Sequence, residues 1–145
     1  IMKSSSGSVK VTGKMIPLIS MGAGFSNELT GIENLYINAS LFGKTNKEID
    51  EIYDDIVSFA GIENFMDTKL KFYSSGMRAR LSFAIAIHME PDILLADEVL
   101  SVGDKEFKYK CQMKLQELRK NGMALVFVSH DEKTVENFCD RCISL

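Results

Sequence analysis

Residues 73–98 constrain the fold of this chain more than any other stretch, because a capped helix start is followed there by an apolar strand that ends in two carboxylates. The stretch opens with Tyr73-Ser74-Ser75-Gly76-Met77, just before an apolar-periodic helix that we place at Tyr73 to Met89. Such a start supplies a side-chain cap, free backbone N–H groups and the positive end of the helix dipole. The sequence therefore predicts an anion-binding site at residues 74–76.

The second half of the stretch reads as a strand buried on both faces. After Pro91, the apolar run Ile93–Ala96 leads directly to Asp97 and Glu98. Ligands of open α/β sheets bind beside the carboxyl ends of the strands. We therefore expect Asp97 and Glu98 to lie at the mouth of a site. Taken alone, the pair fits an acidic turn after a strand equally well.

A second apolar run repeats this arrangement later in the chain. Met123–Val128 predicts another buried strand, and it is followed at once by Ser129-His130-Asp131. An amphipathic helix over Glu106–Lys120 separates the two strands, and a further helix and a strand at Cys142–Leu145 are expected after them. Strands alternating with helices predict a parallel α/β sheet that places both polar ends at one edge.

The first half of the chain carries different signals. Residues 8–14 alternate with period two and break at Gly13, which predicts a short strand and hairpin. Between Leu29 and Met66, Thr30 with Glu33 and Thr45 with Glu48 fit capping boxes, so two helices are expected. The second of these helices carries five acidic residues, which is typical of a solvated face.

Composition narrows the class of protein. The chain has 145 residues, enough for one domain with a core, and its 46% hydrophobic and 26% charged residues are typical of a globular protein. No apolar run approaches the roughly 20 residues of a membrane span. The net charge of −3 argues against nucleic acid as a partner. Of the three cysteines, Cys139 and Cys142 have redox or metal spacing, but no second pair exists, and we interpret all three as packing thiols.

Four motifs in order resemble those of ATP-binding-cassette (ABC) ATPases. Residues 73–77 stand where that family has its Leu-Ser-Gly-Gly-Gln signature, residues 93–98 resemble Walker B, residues 99–104 resemble the D-loop, and His130 resembles the switch histidine. The signature variant and Met21-Gly22-Ala23-Gly24-Phe25 are similar to the subgroup that exports O-antigen, capsular polysaccharide and teichoic acid. Ser20 and Met21 replace the family's glutamine near this point, so no glutamine role is carried over.

The resemblance implies a fold and a division of the chain. The expected fold is α/β, a partial P-loop NTPase (RecA-like) parallel sheet with an inserted ABC helical subdomain and a short N-terminal antiparallel strand pair. The chain, 1–145, would be a single ABC ATPase domain fragment with a strand pair and Q-loop region (1–27), a helical subdomain with the signature loop (28–90) and a Walker B to switch-histidine core (91–145). We expect a fragment because no Gly-x-x-x-x-Gly-Lys-[Ser/Thr] phosphate loop occurs in the sequence. Without the P-loop strand, the two apolar strands are expected to have an unpaired or uncovered edge.

The resemblance also implies roles for individual residues. Asp97 would hold magnesium, Glu98 would orient or deprotonate the attacking water, and His130 would contact the γ-phosphate. Ser74, Ser75 and Gly76 would donate to the γ-phosphate of a nucleotide held by a partner subunit, and Asp104 would link the two sites across the dimer. Expected cofactors are therefore ATP and Mg²⁺. Expected partners are a second copy of the ATPase subunit and a membrane-spanning transporter subunit, which the acidic helix could contact, with no nucleic acid.

This reading makes the chain part of a transport ATPase at the cytoplasmic face of the cell membrane, inactive alone because it lacks the P-loop. Two alternatives remain. Chromosome-maintenance and DNA-repair ATPases share the signature and Walker B, but they place a long coiled coil before the signature, and this sequence shows no sustained heptads there. The other alternative is a truncated, non-catalytic module that only binds a partner.

Overall fold

The computed structural model describes residues 6–18, 22, 24–97, 103–129, 135 and 139–143, and these form an α/β arrangement. Three strands are described, β1 (Met15–Leu18), β2 (Ile93–Asp97) and β3 (Ala124–Val128). The α-helices in the described ranges are α1 (Gly31–Leu41), α2 (Asn46–Ala60), α3 (Ser75–His88) and α4 (Lys105–Lys120). Two short 3₁₀ turns, Glu63–Phe65 and Leu70–Phe72, lead from α2 to α3.

The three strands form one parallel sheet in the order β1-β2-β3. Met15 pairs with Ile93 at one end, and Asp97 pairs with Val128 at the other. The prediction that the two apolar strands are parallel and end at the same edge is therefore confirmed. β2 is paired on both sides, so the expected unpaired edge does not fall on Ile93–Ala96.

β1 was not predicted from the sequence. Pro17 argues against a strand because it cannot donate to a ladder, but β1 lies at an edge of the described sheet, where proline is tolerated. Tertiary contacts fix its register. The Lys14 amide donates to the Asp92 carboxylate at 2.6 Å, and the Lys14 carbonyl accepts from the amides of Asp92 at 2.9 Å and Ile93 at 3.1 Å.

Both predicted capping boxes are present. The Thr30 hydroxyl accepts from the Glu33 amide, and the Glu33 carboxylate accepts from the Thr30 amide at 2.8 Å. Thr45 and Glu48 make the same pair of bonds at the start of α2, and that helix ends at Gly61, whose φ of 62° is left-handed. The local signals thus set both helix starts, each reciprocal pair satisfying otherwise unpaired backbone donors.

α3 is the central helix. Its seven buried residues are Ala79, Leu81, Phe83, Ala84, Ile85, Ala86 and Ile87. It packs on α1, α2, α4 and β1. The core around it includes Ile16 from β1, Leu35 from α1, Ile56 from α2 and Leu115 from α4, and the partly buried Leu125 of β3 packs against it. Because α3 also begins at the predicted anion site, the core holds that site's supporting helix in place.

Several predictions are wrong. Residues 8–14 form no strand, and Val9 and Val11 are exposed because no described element covers them. β3 is not buried on both faces: Val126 is 51% exposed and Val128 57% exposed, because no described element covers the face that these two residues share. Residues 141–143 are not in a strand. The helix expected after His130 lies outside the described residues apart from Val135.

Candidate functional site

The predicted anion site is the first turn of α3. Ser74 is the N-cap, with φ −65° and ψ 161°, and its hydroxyl accepts from the Met77 amide at 3.1 Å. Ser74 and Ser75 are exposed. The amides of Ser75 and Gly76 have no acceptor among the residues that the structure describes, as is normal for a first helical turn. The turn therefore presents hydroxyls and free N–H groups to the surroundings, which suits an anion.

Gly76 is not required by the packing of this chain. A Cβ built on it would meet only the Ser74 hydroxyl oxygen, at the ordinary contact distance of 3.7 Å. Glycine inside a helix costs about 1 kcal/mol relative to alanine, so its presence here brings no stability. A glycine that the chain does not need is consistent with close approach by something outside it.

Tyr73, where ABC ATPases have leucine, anchors the turn from inside. Its ring is 6% exposed, and its hydroxyl donates to the Phe65 carbonyl at 2.7 Å. Burial raises the pKa of Tyr73 to about 12, so it stays protonated and a donor. This residue is structural, and no local pattern in the sequence predicts its partner.

Hydrogen bonds from Arg78 and Asn34, which the sequence did not predict, support the same turn. The Arg78 guanidinium donates to the Asn27 side-chain oxygen and to the Leu70 carbonyl, both at 2.6 Å. The fully buried Asn34 amide group holds the preceding loop by accepting from the Ser26 amide at 2.7 Å and donating to three carbonyl oxygens. The sequence shows only an arginine and an asparagine between apolar positions, and these residue types do not predict which groups they bind.

The carboxyl ends of β2 and β3 lie side by side. Asp97 is the last residue of β2 and pairs with Val128, after which Ser129 follows directly. This confirms that the segments after the two strands begin at one edge of the sheet. Glu98 and His130 lie outside the described residues, as does the Asp97 side chain, so their roles stay predictions.

Asp104 is the N-cap of α4. Its carboxylate accepts from the Phe107 amide at 2.9 Å and pairs with the Arg80 guanidinium of α3. The bond from Phe107 and then the charge of Arg80 hold the pKa of Asp104 below its usual range, so it is ionised at neutral pH. Whether it also links two sites across a dimer stays a prediction, but within this chain it already joins two helices.

Gly22 and Gly24 lie in a turn, as the Gly-x-Gly pattern indicated. Gly22 and Gly24 have φ of 79° and 93°, and the Phe25 amide donates to the Gly22 carbonyl at 2.9 Å. The Gly22 amide donates to the Ser82 hydroxyl of α3 at 3.1 Å. A cleft between β1, α1 and α3 lies beside this turn, lined by residues that include Pro17, Phe25 and Leu41.

Neither a metal cluster nor a membrane span is found in the described ranges. No group of three or more metal-ligating His, Cys, Asp or Glu residues occurs there. No described helix has the length and apolar character needed to cross a bilayer. Cys111 is buried as expected, but Cys142 is exposed and is not a packing thiol, because no described element covers it.

Comparison with known proteins agrees with these motifs. The family model described as ABC transporter matches residues 2–101. Teichoic acids export ATP-binding protein TagH of Levilactobacillus brevis is 49% identical over 141 residues, which are 97% of this chain and 39% of the relative. O-antigen export system ATP-binding protein RfbB of Klebsiella pneumoniae is 42% identical over 143 residues, covering 99% of this chain and 58% of that protein.

Solved structures show the same fold. The structure of an ATP binding subunit of an ABC transporter superposes with a TM-score of 0.78 at 20% identity, over 88% of this chain and 52% of that one. A dimeric, post-hydrolysis ATP-binding cassette, MJ0796 bound to ADP and Pi, gives a TM-score of 0.67 at 22% identity, over 83% of this chain and 53% of that one. The chain spans 39% and 58% of the lengths of the two export relatives.

Proposed function

Since this chain belongs to the ABC transporter family, we propose that it forms the signature and Walker B part of an ATP-binding subunit that drives export of a cell-surface polysaccharide or teichoic acid. The observation that carries the proposal is identity of 49% and 42% to the teichoic acid and O-antigen export proteins over nearly the whole chain. The substrate class comes from the names of those relatives. The activity would belong to the subunit that holds this chain together with a phosphate-binding loop.

The residues divide into two groups in this proposal. The turn of Ser74, Ser75 and Gly76 would bind the γ-phosphate of a nucleotide held by a second copy of the subunit. Its free N–H groups, its exposed hydroxyls and the open space at Gly76 support that use.

The second group lies at the carboxyl ends of β2 and β3. Asp97 would hold Mg²⁺, for which a carboxylate is a suitable hard ligand, and bound Mg²⁺ would neutralise charge on the phosphates. Glu98 would orient the attacking water or accept its proton, and His130 would contact the γ-phosphate. The adjacent ends of the two strands support this grouping, because Asp97 pairs with the residue that precedes Ser129.

The proposed dimer and membrane partner follow from the same reasoning. A turn that serves a nucleotide in another subunit requires a second copy. A membrane-spanning subunit would then occupy the cleft beside Gly22, because Leu41 at its edge is 71% exposed and the rest of the lining is largely apolar. The acidic face of α2 is exposed and is a second candidate surface.

The two alternatives from the sequence are less well supported. Residues 28–72 form α1, α2 and two 3₁₀ turns, and the described residues before α3 contain no coiled coil of the kind that the DNA-maintenance alternative would require. A non-catalytic module would not need the carboxylates at the end of β2. Nucleotide binding by the complete subunit separates this last reading from the proposal.

The test is hydrolysis and transport by the complete subunit. We expect the purified subunit to hydrolyse Mg-ATP, and an export-deficient strain lacking its own such subunit to regain surface polymer when this one and its membrane partner are supplied. A complete subunit that binds no nucleotide would contradict the ATPase proposal. Hydrolysis without restored export of either polymer class would contradict only the proposed substrate.

A further inference from the structure

Arg80 of α3 connects three helices through one guanidinium group. It pairs with the Asp104 carboxylate at the start of α4. Its second terminal nitrogen lies 3.4 Å from the carbonyl oxygen of Ala60, the last residue of α2. The guanidinium carbon lies 4.8 Å from the centre of the Phe107 ring. A single side chain thus contacts the end of one helix and the start of another from the middle of the signature helix.

These contacts require arginine specifically. A planar guanidinium can donate in two directions and still stack on an aromatic face, whereas a lysine ammonium is a point charge. The contact with Ala60 also places a cation at the C-terminus of α2, where the helix dipole favours it. The Arg80 side chain is 24% exposed, whereas that of Asp104 is 60% exposed, so solvent partly screens the pair and the contacts with Phe107 and Ala60 contribute alongside it.

The position of Arg80 gives these contacts a consequence for function. It lies six residues after Ser74 on one rigid helix, so the guanidinium and the signature turn move together. The pair with Asp104 therefore joins the helix carrying the signature turn to the start of α4.

We infer that Arg80 is a positioning residue for the proposed ATPase: it fixes the signature turn of α3 relative to Asp104 at the start of α4, the residue proposed to link the two sites of a dimer. This inference rests on the proposed function. Arg80 itself touches no nucleotide in this role. It acts through Asp104, which it holds at the start of α4.

The test compares variants of the complete subunit. Arg80→Met removes the charge and the donors while keeping a long apolar stem. We expect kcat for ATP hydrolysis to fall by about 10- to 100-fold, the size of effect that a small misplacement of reacting groups produces. The Kd of the monomer for ATP should stay within about twofold, because binding precedes alignment. Lys110→Met is the matched control, since Lys110 pairs only locally with Glu106 on α4 at 3.8 Å, and its kcat should equal that of the wild type.

Two further measurements distinguish positioning from mere structural support. Asp104→Asn should lower kcat, and adding Arg80→Met to it should lower kcat little more, since both changes break one link. The pKa of Asp104, measured by NMR, should rise in Arg80→Met and stay unchanged in Lys110→Met. If Arg80→Met does not fold, Arg80→Gln, which loses the charge but keeps an amide donor, takes its place with the same expectation.

The outcomes separate the inference from the function on which it rests. If a folded Arg80→Met or Arg80→Gln subunit hydrolyses Mg-ATP as fast as the wild type, the role of Arg80 is overturned and the proposed function is not. Full additivity of the Arg80 and Asp104 changes also overturns the role of Arg80. A wild-type subunit that does not hydrolyse Mg-ATP overturns the proposed function and this role with it.

Discussion

The hydroxyl oxygen of Tyr73 lies 2.2 Å from the position that a Cβ on Gly31 would occupy. Gly31 is the first residue of α1, and Tyr73 directly precedes the cap of α3. The two helix starts therefore meet at a point where only glycine fits. The close approach allows the tyrosine ring to be buried and its hydroxyl to reach Phe65.

Gly31→Ala should destabilise the chain by about 1–3 kcal/mol, because an added methyl group forces Tyr73 from its site. The usual gain of alanine over glycine in a helix is too small to offset that overpacking. Thermal or denaturant unfolding of the single variant measures the effect. Combining it with Tyr73→Leu should recover part of the lost stability, although the Met66 carbonyl, 3.1 Å from the same position, remains in contact. No loss of stability in Gly31→Ala would contradict the close packing.

Gly76→Ala should lower the activity of the complete subunit without lowering the stability of the fold. The added Cβ meets only Ser74 at 3.7 Å, so unfolding should be unchanged or shifted upward by up to about 1 kcal/mol. In the complete subunit, ATP-dependent dimerisation and hydrolysis should fall, because the methyl group projects toward the proposed phosphate. Light scattering with Mg-ATP and a phosphate-release assay measure both. Full activity in this variant would remove Gly76 from the proposed contact.

Glu98→Gln in the complete subunit should lower turnover by roughly 10²- to 10⁴-fold, the range for losing a general base. The amide keeps the size of the side chain and cannot take a proton from water. Nucleotide binding, measured by calorimetry, should persist. Glu63→Gln is a suitable control, since the Glu63 side chain is exposed and makes no ion pair with the described residues. Near-normal turnover in Glu98→Gln would exclude the proposed role.

The 145-residue chain studied alone should bind Mg-ATP only weakly and release no phosphate. Asp97 and Glu98 are anions, and this sequence provides no phosphate loop whose lysine and N–H groups would offset their repulsion of the nucleotide. Titration calorimetry of the purified chain tests this expectation. Micromolar binding would show that the chain holds a phosphate site of its own.

Stability should fall as the pH drops through the titration of His88. Burial lowers the pKa of His88, whose Nδ1 lies 2.7 Å from the Ala84 carbonyl oxygen and whose ring packs on the edge of Phe59. A histidine with a lowered folded-state pKa contributes stability that is present above the unfolded value of about 6.5 and is lost as the pH falls through the folded value. His88→Gln should therefore flatten the decline below pH 6.5. An equal decline in both proteins would contradict this assignment.

The sequence by itself determined those parts that depend on neighbouring residues. Thr30 with Glu33 and Thr45 with Glu48 fixed two helix starts, because each pair completes its hydrogen bonds within one turn. Ser74 capped α3 for the same reason, and the run before Asp97 formed the central strand. The family could be inferred because four such local motifs occur in order.

The tertiary structure decided whatever depends on residues distant in the chain. β1 exists because Lys14 and Asp92, 78 positions apart, align it with β2, and residues 8–14 form no strand because no described element covers Val9 and Val11. The packing of Tyr73 on Gly31 and the ion pair of Arg80 with Asp104 depend on tertiary contacts that no local sequence pattern predicts. Hydrophobic periodicity and helix caps reflect interactions within a single turn or strand. Strand pairing and side-chain burial depend instead on which surfaces the folded chain brings together.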